Sequence, residues 1–147
     1  MKAEFSELKL LDSSVLGCCF SAVISEDEKK TDINSIPVDI DVRTESEEEG
    51  VFSILLELNS NSKGKIEGCY SYSLLQQAIY TVENYESKPK EEIDSFLLFS
   101  AIPALINLAR GFLANISSYS FYGKYTLPMI DLNDLIDKIT SPAQENK

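Results

Sequence analysis

The chain has 147 residues, carries 24 Asp and Glu against 13 Lys and Arg, and contains neither His nor Trp, which gives a formal charge of −11 at pH 7. That balance excludes phosphate backbones and anionic membranes as natural partners, because either contact would press like charges together. Residues 1–147 are enough for a single domain with its own core.

No uninterrupted apolar run reaches the ~20 residues of a membrane-spanning helix, and "MKAEFSELKL" lacks the apolar stretch of a signal peptide. The expectation is a soluble, cytoplasmic protein with no membrane insertion. Cys18, Cys19 and Cys69 lack metal-ligand spacing, and the vicinal pair cannot easily bridge. All three are expected to be buried, reduced thiols.

In chain order, "EFSELKLLDSSVLGCCFSAVI" opens with Leu8 and Leu10 and continues through Val15 to Phe20, which suggests a strand with an irregularity near Asp12 to Ser14. "IPVDIDV", residues 36–42, alternates strictly, with Ile36, Val38, Ile40 and Val42 on one face and Pro37, Asp39 and Asp41 on the other. The run "RTESEEEG", residues 43–50, is expected to be a flexible, solvated acidic loop, since like-charge blocks repel. "VFSILLELN" and "IEGCYSYSLLQQAIYTV" flank "SNSKGK", whose Ser, Asn and Gly supply turn conformations, so the pair reads as an antiparallel hairpin. Phe52, Ile54, Leu56 and Leu58 share one face of it, and Ile66, Tyr70, Tyr72 and Leu74 form the matching one.

After "ESKPKEE" the period changes from two to 3.6. Leu97, Leu98, Ile102, Leu105, Ile106, Ala109, Phe112, Leu113 and Ile116 fall at helical spacing, and Pro103 is expected to open the longer helix, with a short helix ending near Ser100. Arg110 is the polar member of that apolar helix, either a snorkelling side chain or half of an ion pair. Gly123 then breaks the chain, Pro128 keeps it extended, and Asp131 caps a last helix from Leu132 to about Ile139, before a flexible tail, 140–147. Strands followed by helices predict an α+β fold, a four-stranded antiparallel sheet with helices packed on one face.

Chemistry is scarce. Without His, the usual neutral-pH base and the commonest metal ligand are both absent. No G-x-S-x-G, phosphate-cradling glycine loop, H-E-x-x-H or C-x-x-C occurs. Pairs such as Glu91 and Glu92, or Asp131 and Asp134, read as solvated or helix N-terminal charge. No catalytic residue, metal or cofactor is expected.

Several segments together resemble one family. "LARGFLANISS", an aromatic loop and "LPMIDLNDLI" look like the C-terminal signature of the SecB protein-export chaperones. "IPVDIDVRT", an acidic stretch, "GVFSILLELNSNSKGK" and "SLLQQAIYTV" resemble the SecB order of strand, loop and hairpin, and "EFSELKLLDSSVLGC" is similar to its first strand. The resemblance spans roughly residues 5–136 and implies a homotetramer, a dimer of dimers, that holds unfolded or precursor polypeptides in hydrophobic grooves without hydrolysing nucleotide.

Carried over by position, the groove would include Ile36, Val38, Ile40, Tyr70, Tyr122, Tyr125, Met129 and Leu132. Each of these also reads as core or subunit interface. Tyr125 and Met129, flanking Pro128, are expected to be partly exposed groove residues. The positions matching the family's docking face for the motor SecA are Ser14, Cys18, Ser71 and Ser73, none of them charged, which weakens the case for SecA delivery. Three readings stay open: a general holdase in protein export, a chaperone dedicated to one partner such as the antitoxin of a toxin–antitoxin system, and a non-catalytic scaffold.

Overall fold

A computed structural model of the chain describes residues 6–24, 33, 36–60 and 68–141. Four strands, β1 (Leu8–Ala22), β2 (Val38–Glu48), β3 (Val51–Ser60) and β4 (Tyr70–Val82), form one antiparallel sheet in the order β1-β4-β3-β2. Helices α1 (Lys90–Phe96), α2 (Ile102–Ser117) and α3 (Leu132–Thr140) follow. This is the expected α+β arrangement.

The alternation that predicted β3 and β4 also decides which face they bury. Phe52, Ile54, Leu56 and Leu58 of β3 and Tyr70, Tyr72, Leu74, Ala78, Tyr80 and Val82 of β4 all point into the core. Against them α2 lays Ile102, Leu105, Ile106, Ala109 and Leu113, spaced three and four apart on one stripe. Tyr80 on β4 donates to the Ala101 carbonyl at 3.0 Å and pins the start of α2 to the sheet. Ser60 takes over where the β3–β4 ladder ends, its hydroxyl accepting from the Tyr72 amide at 2.7 Å. The loop of this hairpin, with Ile66, lies outside the described residues.

The acidic run is corrected. Residues 43–48 are strand, paired with β3 from Arg43↔Leu55 to Glu48↔Val51, and only Glu49 and Gly50 turn. An edge strand keeps one side in water, so its charged side chains stay solvated while the backbone pairs; Arg43 also bridges Asp41 at 2.9 Å. Gly50 has φ 76° and meets Tyr85 at its back, a left-handed turn position that suits glycine.

The helical region differs too. Pro103 does not follow a break: residues 90–117 form one continuous helix whose middle, Leu97–Ala101, is a π turn. Proline cannot donate to the carbonyl four residues back, and the wider π turn carries the chain past that gap. Joined, the two segments are long and apolar enough to cross a membrane by length and composition, which the absence of an uninterrupted apolar run did not anticipate. Their inner stripe is packed on the sheet.

β1 bulges between Leu10 and Asp12 and between Val15 and Gly17, the first at the expected irregularity. The bulges turn Leu11 and Leu16 outward, and both are exposed. Cys18 and Cys19 lie on this exposed strand and only Cys69 is buried, so the expectation of three buried thiols fails for two of them. Burial, and then the neighbouring Cys19, still push the Cys18 thiol above its ordinary value.

Candidate functional site

Tyr70 and Tyr72 are two residues apart on β4 and so emerge on the same face of the sheet. Phe20 on β1 stands opposite Tyr72, with ring centroids 4.8 Å from Tyr70 and 6.2 Å from Tyr72. These rings form the floor of an aromatic trough. Over it runs a strap, residues 118–131, that joins α2 to α3 and brings Tyr125 5.5 Å from Tyr72 and Tyr122 5.7 Å from Tyr70. Such offset and edge contacts suit aromatic quadrupoles.

The strap alternates like a strand although it pairs with none: Tyr125 and Leu127 are buried, while Lys124, Thr126, Pro128 and Met129 are exposed. Among the described residues, no backbone–backbone hydrogen bond ties residues 124–130 to the sheet or the helices. Side chains hold it instead. Tyr70 donates to the Gly123 carbonyl at 2.6 Å, and Ser117 accepts from the Tyr125 amide at 2.7 Å. The hydroxyls of Tyr72 and Tyr125 meet at 3.1 Å. Arg110 donates from Nε to the Leu127 carbonyl at 2.9 Å and from Nη2 to the Pro128 carbonyl at 3.2 Å, and a third guanidinium N–H reaches Asn107. Among the described residues it therefore neither snorkels nor joins an ion pair; it binds backbone across the strap.

Burial, reinforced by the hydrogen bond to Tyr125, pushes the Tyr72 hydroxyl far above its ordinary value. Burial also raises Tyr125, partly offset by its hydrogen bond to Tyr72. Both stay neutral through the physiological range. Charge is thus absent from the trough.

The predicted groove residues divide in three. Ile36, Tyr70 and Tyr125 are buried, Tyr125 at 0% exposure, so the expectation that Tyr125 is partly exposed is corrected. The physical reason is its hydroxyl partner on β4, which a reading of local sequence could not supply. Val38 and Ile40 on β2, Tyr122 and Leu132 are half-buried against the same core. Met129, at 87% exposure, stands free on the outside of the strap. Tyr119 and Phe121 are equally open, at 88% and 78%. Sequence reasoning did not single out Tyr72, Ser117 or Leu127 as site residues, though the Tyr70–Tyr72 spacing was a visible signal for the first.

Asp131 caps α3 as expected, accepting from the Asn133 amide at 2.9 Å and lying 3.3 Å from that of Asp134. On the opposite face of the sheet, Ser71 and Ser73 of β4 stand beside Ser21 and Cys19 of β1. Cys18 pairs with Leu74 and turns toward the helices, so it does not share the face of Ser71 and Ser73; Cys19 takes that place. Ser14, opposite Gln77, does share it. The face is uncharged at all four positions.

No family profile matches the sequence, and no curated protein aligns with it. Solved structures do match. The chain is similar to the Mycobacterium tuberculosis Rv1957 SecB-like chaperone in complex with a ChAD peptide from the Rv1956 HigA1 antitoxin, with a TM-score of 0.57 and 10% identity over 84% of this chain and 91% of that one. A second similar structure, a protein of unknown function from Streptococcus agalactiae, has a TM-score of 0.47 at 10% identity over 86% and 100% of the two chains. The chain thus has the SecB-like fold expected from its motifs.

Proposed function

We propose that this protein is an ATP-independent chaperone that binds unfolded polypeptide on apolar surface around the strap. The observation that carries the reading is the exposure of Tyr119, Phe121 and Met129 beside a fully packed aromatic core. Large flexible or aromatic side chains left in water on a chain of charge −11 suit adaptable recognition of apolar segments. The SecB-like fold supports the same reading. A homotetramer is part of the proposal, supported by Leu10, Leu11, Val15 and Leu16, which leave an apolar strip open along β1.

A second reading, service to one dedicated partner, is favoured by two observations. The similar Rv1957 chaperone was solved with an antitoxin peptide, and Ser14, Cys19, Ser71 and Ser73 carry no charge with which to steer SecA at those positions, the charge of the open face lying toward β2 and β3 at Asp41, Arg43 and Glu57. A stoichiometric aggregation assay with several unrelated unfolded proteins tests both. Suppression of all of them supports the general holdase, suppression of one genetically linked partner alone supports the dedicated chaperone, and suppression of none overturns the proposal and leaves a scaffold.

A further inference from the structure

We draw no further inference here: the strongest candidate, the apolar strip that Leu10, Leu11, Val15 and Leu16 leave open along β1 beside the buried, unpartnered Gln76 Oε1, belongs to the assembly already proposed, and nothing among the described residues shows what else covers it.

Discussion

Two apolar regions of this chain use the same kinds of side chain and differ in what covers them. Under the strap, Tyr70, Tyr72, Tyr125 and Leu127 are sealed, each hydroxyl matched to a partner. Along β1 and on the outer side of the strap, Leu11, Leu16, Phe121 and Met129 face water. Composition does not distinguish the two, and neither does local spacing. What separates them is where the long-range donors land: Arg110, Ser117 and the β4 tyrosines reach across to the strap, whereas those that reach β1 and its end, Gln76 to Ser13 and Tyr122 to Val23, leave Leu11 and Leu16 uncovered. The opposite edge of the sheet shows that exposure there is not inevitable, because β2 guards its free side with Asp39, Asp41, Glu45 and Glu47. Open apolar surface on β1 is therefore the surface expected to meet another chain.

The largest effect should come from breaking the sealed region. Tyr125→Ser leaves a cavity and strands the Tyr72 hydroxyl, and a loss of about 3–5 kcal/mol is expected in denaturant unfolding. A loss below about 1 kcal/mol would place Tyr125 with the uncovered group. Arg110→Ala should come next, at roughly 1–3 kcal/mol, since it removes a charged donor from two strap carbonyls. A melting temperature identical to the parent's would mean the strap is held without it.

Raising the pH probes the same region more gently. Tyr72 and Tyr125 titrate above their ordinary value in the folded chain, chiefly through burial, while the unfolded chain releases their protons near pH 10. Their contribution is fully present below about pH 10 and declines above it, by at most about 1.4 kcal/mol per pH unit for each tyrosine. Unfolding curves between pH 9 and 11 should show that decline, and Tyr72→Phe should blunt it. Asp131→Ala should cost about 1 kcal/mol, the ordinary value of an N-cap. On the uncovered side, Leu11→Ser with Leu16→Ser should change monomer stability by less than about 0.5 kcal/mol and yet lower the oligomeric state seen by light scattering. A parent that is already monomeric at micromolar concentration would remove the assembly proposal.

The sheet was legible because alternation and burial obey the same period: Phe52 to Leu58 and Tyr70 to Leu74 could be assigned to one face from their spacing alone. The Asp131 cap was legible because it is local. The acidic run 43–48 was misread because charge reports solvent contact, and an edge strand satisfies solvent contact and backbone pairing together. Pro103 was placed in the first turn of the longer helix, where it lies, but the join before it was missed, because a π turn is a helical answer to proline that leaves no mark in residue type. At the site, the tyrosines were visible but their cover was not, since the partners of Tyr125 and Leu127 lie 53 and 17 residues away in sequence.

The central claim, that apolar surface left open around the strap binds unfolded polypeptide, is tested most directly by titrating reduced, carbamidomethylated lysozyme into the parent and into Met129→Ser with Phe121→Ser. Both substituted residues are exposed, so the melting temperature should stay within about 2 °C of the parent's, while binding, saturable in the parent, should weaken at least fivefold in the variant. Binding that is absent from the parent, or equally tight in the variant, would contradict the claim.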